Sequence, residues 1–325
     1  MPRLNKALIA AVLLLSCTGA MAQAQDKYPD KPVRLVVPFP PGGPTDLIAR
    51  VVAMGLTAEL GQQVVVENKG GAGGNVGTEM VARSRPDGYT LLFGTAATHG
   101  INISLYSKLP YDPVQDFEAI ALVGIAPMAL LVPPDQPRSL LALVAKMKAE
   151  PGKWSYASSG NGTTNHLAGE LFKTRTGIDT LHVPYRGTGP ALQDLLAGRH
   201  AFMFGTFGPV LEYVKTGQLV ALALMAAKRS SVVPDVPTTA EAGLANFEGA
   251  TWNVVVAPAG TPREIVERLN GAVNKVLKDA TVASRLKQLN MEASEDMAPA
   301  ATKAFIEAEI KKWREVVEIA GAQVD

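Results

Sequence analysis

Residues able to do covalent or acid–base chemistry are few in this chain, and they are scattered. The four histidines, His99, His166, His182 and His200, show neither His-x-x-x-His nor His-Glu-x-x-His spacing, so no pair faces one metal from a single helix. Ser158 and Ser159 follow Tyr156 and Ala157, not the glycine that a nucleophile elbow sets two residues before its serine. The only cysteine, Cys17, lies close to the N-terminus, which leaves the rest of the chain without a thiol nucleophile, thiolate ligand or disulfide. What the chain does carry is a set of glycine-bearing loops at Pro40–Pro44, Gly70–Asn75, Ser158–Gly162 and Pro184–Gly189, each leading into a helix start. Backbone N–H groups exposed at the positive end of a helix make a place for an anion, and a carboxylate is the expected occupant. The bland reading of such a loop is a tight turn with no ligand.

Individual side chains carry weaker signals. Arg186 sits in a Gly-flanked loop past a strand, where it either meets a carboxylate or forms a surface or interdomain salt bridge. Asp46, near the third position of its helix, is expected to compensate the helix dipole. His166, in the first turn of a helix, is expected to be neutral and hydrogen-bonded to nearby loop groups. His182 reads as a satisfied core residue and His200 as a surface one.

The elements that must position these loops follow from pattern. Val33–Val37 is a β-branched run, hence a strand, and it breaks at Pro38. Pro44 suits the first helical position; Leu47, Val51, Met54 and Ala58 follow at helical spacing, and Gly61 stops the helix. The chain is organised around this strand–loop–helix unit. A valine at Gly43 is expected to crowd the backbone approach and strain the turn. Val64–Asn68 is a second strand, Asn75 the expected cap of a helix to Ser84, and Tyr89–Gly94 a third strand with a polar loop, Thr95–His99, behind it. Neither early Gly-rich loop is a nucleotide motif: the first lacks a Gly-Lys-Ser/Thr ending, and Val76 stands where the second would need its last glycine. Strands alternating with helices imply a parallel sheet, whose ligands sit at the carboxyl ends of its strands.

Ile120–Pro133 is a long apolar run broken at Gly124 and Pro127; it reads as a crossing between domains, either one strand or two end to end. The same grammar then repeats, with strands at Trp154–Ala157, Leu181–Val183 and Ala201–Phe204, a helix from Thr163 to about Thr176, and helices opened by Pro190 and Pro209. Thr251–Ala257 reads as the return crossing, Thr261–Glu264 as a capping box with Pro at its first helical position, and Trp313 and Val317 as the anchor of the last helix.

Arg3 and Lys6, the apolar Ala7–Leu15 and the small residues of Ala20–Ala24 form a secretory signal, with the mature chain expected to begin near Gln23 or Gln25. Leu14–Cys17 is only a weak match to a lipoprotein site. The formal charge of +1 becomes −1 without Arg3 and Lys6, which gives no electrostatic case for nucleic acid. No motif asks for a cofactor or a metal.

Taken together the motifs resemble the Bug family of periplasmic solute receptors, the substrate-binding subunits of tripartite tricarboxylate transporters. The resemblance covers almost the whole mature chain and rests on Tyr28–Val33, Pro38–Asp46, Glu67–Gly73, Arg85–Leu91, Tyr111–Pro113, Ser159–Gly162 with His166–Ala168, Val183–Gly187, Pro234–Thr238 and Ala257–Pro262. It implies an α/β, two-domain periplasmic binding protein fold (type II-like) whose ligand cleft lies between domains joined by two crossing strands. The expected division is a signal peptide at 1–24, a first domain at 25–125 plus 246–325, and a second at 126–245. It implies a non-catalytic monomer that captures a small organic carboxylate for membrane transporter subunits or a sensor protein; an exported α/β enzyme on a carboxylated substrate is the alternative. The cleft would be lined by Phe39, Pro40, Pro41, Gly42, Gly43 and Asp46 from the first loop, and by Gly71, Ala72 and Gly73 from the second. Thr95, Ala96 and Thr98 would follow the third strand. The second domain would supply Ser158, Ser159, Gly160, Asn161, Thr163 and His166, then Tyr185, Arg186, Gly187 and Phe204. Many members carry Asp at the positions of Ala201 and Gly205; their absence here weakens the case for an amino acid.

Overall fold

Residues 28–324 are described by the computed structural model. The expected signal peptide and Cys17 lie outside them. β1 (Val33–Val37) and α1 (Pro44–Leu60) form from the first unit, with Pro44 in the opening turn and Gly61 ending the helix at φ 68°, a left-handed conformation that glycine adopts without strain. β2 (Val64–Asn68), α2 (Asn75–Ala82) and β3 (Thr90–Thr95) follow, and β1 pairs in parallel with both β2 and β3. Asn75 does not cap α2; Gly74 holds that position. The Asn75 side chain instead accepts from Asn102 Nδ2 at 2.6 Å and Tyr111 OH at 3.0 Å, tying α2 to the next helix. The expected polar loop after β3 is helical too: a π-turn at Ala97–Ile101 runs into α3 (Asn102–Leu105). Its side chains turn inward, Thr98 Oγ1 accepting from the Thr95 N–H at 3.1 Å and the buried His99 ring meeting Phe117 edge-on at 4.9 Å.

The long apolar run is two strands meeting at Met128, β4 (Phe117–Pro127) and β5 (Ala129–Val132), and they belong to different sheets. After α4 (Leu140–Ala149) come β6 (Trp154–Ser158), α5 (Thr164–Thr176), β7 (Thr180–Pro184), α6 (Thr188–Leu196), β8 (Phe202–Gly205), α7 (Leu211–Lys215) and β9 (Val220–Leu224). β10 (Ala250–Pro258) then returns to pair antiparallel with both β3 and β4. The chain closes with α8 (Arg263–Lys278), α9 (Ala280–Gln288), β11 (Glu292–Ala293) and α10 (Pro299–Ala320). The capping box before α8 is not made: Pro262 is the N-cap, and Thr261 Oγ1 donates to Pro258 O at 2.7 Å.

One sheet runs β11-β4-β10-β3-β1-β2 and the other β7-β6-β8-β5-β9, so the first draws strands from both ends of the chain. Each sheet has its own core. Leu35 and Val37 pack with Ile48, Val52 and Leu56 of α1 and with Leu269 and Val273 of α8. In the second, Phe172, Phe202, Phe204 and Phe247 meet at centroid distances of 5.5–5.9 Å. Among them Phe204 is fully buried, so it is a core residue and not a cleft residue. α10 braces both lobes: Trp313 and Val317 pack with Ile101 and Leu105 on one side and with Leu167 of α5 on the other. The buried Glu309 carboxylate accepts from Trp252 Nε1 at 2.6 Å and Trp313 Nε1 at 3.0 Å, fixing α10 to the returning strand.

Candidate functional site

Between the sheets lies a chamber with an empty volume of about 780 Å³ including its mouth. The β1–α1 loop contributes Phe39, Pro40, Gly43, Pro44 and Thr45. Thr95 and Ala97 follow from the end of β3, Met128 from the β4–β5 joint, and Thr251 and Asn253 from β10. The other lobe adds Ser159, Thr163, Thr164 and Asn165 ahead of and on α5, Gly187 and Thr188 at α6, and Met203, Gly205, Thr206 and Val210 around the end of β8. Among the described residues, no Lys, Arg, His, Asp or Glu lines it.

Three helices of eight or more residues begin at this chamber, and none is capped by a side chain: α1 at Gly43, α5 at Thr163 and α6 at Gly187. Away from the chamber the chain does cap helices, with Ser139 accepting from Ala142 N and Asp279 from Thr281 N and Val282 N. The first-turn N–H groups of a helix have no partner within it, so three uncapped starts leave donors for something else to use, with the positive ends of α5 and α6 unanswered and that of α1 partly offset by Asp46 in its first turn. Gly43 and Gly187 have no side chain to cap with. Thr163 has one, but its hydroxyl donates to Gly160 O at 2.6 Å and reaches Asn165 Oδ1 at 2.5 Å. That same oxygen accepts from Ser159 N and Ser159 Oγ at 3.4 and 3.0 Å. With Oδ1 so occupied, the Asn165 amide nitrogen is the free end, and it has no protein acceptor among the described residues.

Side chains that would otherwise disturb the site are held outside it. Asp46 accepts from Gly42 N at 2.9 Å, Arg50 Nε at 3.0 Å and Asn68 Nδ2 at 2.9 Å, shaping the β1–α1 loop from behind. Burial opposes its ionisation, yet the bonds from Arg50, Gly42 and Asn68 hold the carboxyl below its usual range. His166 accepts from the Gly162 N–H at 3.3 Å and stacks on His182 at 4.1 Å. Burial first of all pushes them down to about 4 and about 3, so both rings are neutral. Ser158 Oγ lies 2.6 Å from His182 Nε2, but Ser158 is fully buried and its hydroxyl also bonds Gly160, which shapes the loop and leaves no exposed nucleophile. His200 is not a surface residue: it is 6 % exposed, between Ser155 Oγ at 2.9 Å and Tyr185 OH at 2.7 Å. Tyr185 in turn donates to Asp194, so its hydroxyl is committed there.

The residues singled out in the sequence divide by place. Phe39, Pro40, Gly43, Thr95, Ser159, Thr163 and Gly187 line the chamber, and of these Phe39, Pro40, Ser159 and Gly187 also border the groove next to it. Pro41, Gly71, Ala72, Gly73, Gly160, Asn161, Tyr185 and Arg186 line a second, solvent-open groove outside it. Gly42, Asp46, Ala96, Thr98, Ser158, His166 and Phe204 line neither. Arg186 is exposed and makes no ion pair among the described residues. Chamber and groove adjoin where the lobes touch. A Cβ built on Gly187, at φ +111°, falls 3.0 Å from Pro40 Cγ, and one on Gly73 falls 2.7 Å from Asn161 O. Gly43 is different: its φ is −78° and a Cβ there meets only Pro40 O at 3.7 Å and Thr188 Oγ1 at 3.9 Å. The turn is therefore not strained by a side chain at 43, contrary to the expectation from the sequence.

A match to the model of TctC, the tripartite tricarboxylate transporter family receptor, runs over residues 48–322. The chain belongs to this receptor family. It is 39% identical to Protein BugT of Bordetella pertussis (strain Tohama I) over 98% of each chain. The structure of Rpa4515 of R. palustris with adipate superposes with a TM-score of 0.88 at 36% identity, over 91% of this chain and 100% of that one. MatC of Rhodopseudomonas palustris with bound malate gives 0.85 at 36% identity, over 89% and 100%. The receptor thus has the two-domain α/β architecture of periplasmic binding proteins and is a solute-binding protein of that kind. Its chamber includes residues that no local motif marks, above all Asn165, Thr206 and Asn253. Asn165 alone had a local signal, since it stands in the first turn of a helix that begins at a glycine-bearing loop.

Proposed function

We propose that the receptor captures a small organic carboxylate in this chamber and presents it to the membrane subunits of a tripartite transporter or to a sensor protein. The observation that carries the reading is the convergence of three uncapped helix starts on a space with no acidic side chain. A carboxylate accepts several N–H bonds at once and complements the positive helix ends, whereas a neutral or cationic solute leaves both unanswered. Asn165 adds a side-chain donor. The adipate and malate bound to the two similar proteins support the class. The signal-like N-terminus supports export, with cleavage after Ala22 or Ala24.

The test is thermal-shift screening against mono-, di- and tricarboxylates and aromatic acids, each beside its methyl ester. A ligand at a hundred times its Kd adds about 2.7 kcal/mol, which shifts the melting temperature by several degrees. An acid that stabilises while its ester does not supports the reading. Equal shifts, or none across the panel, refute it.

A further inference from the structure

Strand order gives the chamber two different ends. In one sheet β10, β3 and β1 stand in that order, and in the other β5, β8, β6 and β7 do. The β1, β6 and β7 loops therefore meet at the mouth, where Pro40 approaches Gly187. β10, the β4–β5 joint and the end of β8 meet at the opposite end, beside the crossings. The three uncapped helices α1, α5 and α6 all start from the mouth loops. The inner end has none of that character. Its lining is Met128, Gly205, Thr206, Thr251 and Asn253, and the helix after it, α7, is five residues long and begins only after Val210.

Two side chains there each keep one polar atom without a hydrogen-bond partner among the described residues. Thr206 is 6 % exposed and its buried Oγ1 has no hydrogen bond. Asn253 is 2 % exposed; its amide nitrogen donates to Gly94 O over a long 3.4 Å, and the amide oxygen has no donor among the described residues. A buried amide oxygen needs an N–H or O–H. A second carboxylate at pH 7 has neither, and would set its charge beside that oxygen with no cation or helix end to answer it.

Building on the carboxylate reading above, we propose that the inner end takes a neutral hydrogen-bonding group, so that the solute is a singly charged acid with an amide or hydroxyl at its other end. The acid lies at the helix starts. The far group donates to Asn253 Oδ1 and bonds the Thr206 hydroxyl, while Met128 and Met203 cover the spacer.

Calorimetry at pH 7.5 on length-matched pairs tests this: succinate and succinamate, glutarate and glutaramate, adipate and adipamate, terephthalate and 4-carbamoylbenzoate. In the series that binds, the half-amide is expected to bind at least tenfold tighter than the diacid. Thr206→Val, with its fold checked by circular dichroism, should reduce that ratio several-fold. A diacid that binds as tightly as its half-amide overturns the inference, and does so in the wild-type protein without any variant. A half-amide to diacid ratio that Thr206→Val leaves unchanged overturns it as well. Binding of no acid in any series overturns the carboxylate reading itself, a result distinct from a preference for diacids.

Discussion

Gly73 and Gly42 form a matched pair for asking whether the solute is held with the lobes in contact. Both have positive φ, +63° and +80°, so alanine at either strains the backbone by about 1–2 kcal/mol whatever the lobes do. They differ in what a methyl group would meet. At Gly42 nothing lies within 4 Å, whereas at Gly73 the new carbon falls 2.7 Å from Asn161 O of the opposite lobe and 2.8 Å from Tyr106 OH. The tyrosine tip can swing away, but a backbone carbonyl yields only if the lobes part. Overpacking of this kind costs about 1–3 kcal/mol, and it is felt only in the closed arrangement. Gly73→Ala should therefore bind the solute roughly 5- to 150-fold more weakly, with no contact to it. Gly42→Ala should bind as the parent does. Urea unfolding of the ligand-free proteins should show similar losses for both variants, and calorimetry should separate them. Small-angle scattering should show the loaded parent contracting and Gly73→Ala contracting less. Equal affinities for the two variants would refute the idea that the loaded receptor has this mouth geometry.

Other outcomes follow from the site and its supports. Asn165→Asp keeps the oxygen that accepts from Ser159 N and Ser159 Oγ but replaces the free amide nitrogen with charge, so carboxylate affinity measured by calorimetry at pH 7 should fall at least tenfold, whereas Ser159→Ala, which removes one of those donors, should cost less than tenfold. Glu309→Leu leaves two buried indole N–H groups unpaired and should cost roughly 2–4 kcal/mol in urea unfolding, with Glu309→Gln costing less because it keeps an acceptor. Burial lowers His99 to about 3, His166 to about 4 and His182 to about 3. The unfolded chain binds these protons near pH 6.5 and the folded one does not, so stability is full above pH 6.5 and falls as the pH drops toward 4. The urea midpoint should therefore be lower at pH 5 than at pH 7, and a midpoint unchanged over that interval would contradict the buried, neutral state of these rings.

Much of the fold is legible in short stretches, because punctuation acts locally. Pro44 and Gly61 bracket α1, Gly177 ends α5, and the β-branched runs at 33–37 and 64–68 are strands as read. The readings that changed are those in which a polar residue had a distant partner. Asn75 resembles a cap until Asn102 and Tyr111 arrive across the fold, and His200 resembles a surface residue until Tyr185 and Ser155 enclose it. The same holds for the site. The glycine loops announce themselves, but whether a loop residue faces the chamber or the outer groove depends on where the lobes touch, as Thr163 and Asn161 show. Asn253 and Thr206 come together through strand order over a separation that no motif spans.

The mouth has a consequence for the medium in which the receptor works. Pro40 lies against Gly187, Gly73 against the Asn161 carbonyl, and Tyr106 OH donates to that carbonyl at 3.5 Å. Every ion pair among the described residues stays within one lobe, Lys278–Asp296 and Arg229–Glu241 among them. Dissolved salt weakens attraction between exposed charges and leaves contacts between rings, methylenes and carbonyls almost untouched. Shutting this mouth therefore works alike in dilute and in concentrated surroundings, and any ionic-strength dependence of capture must come from the charge the solute itself brings.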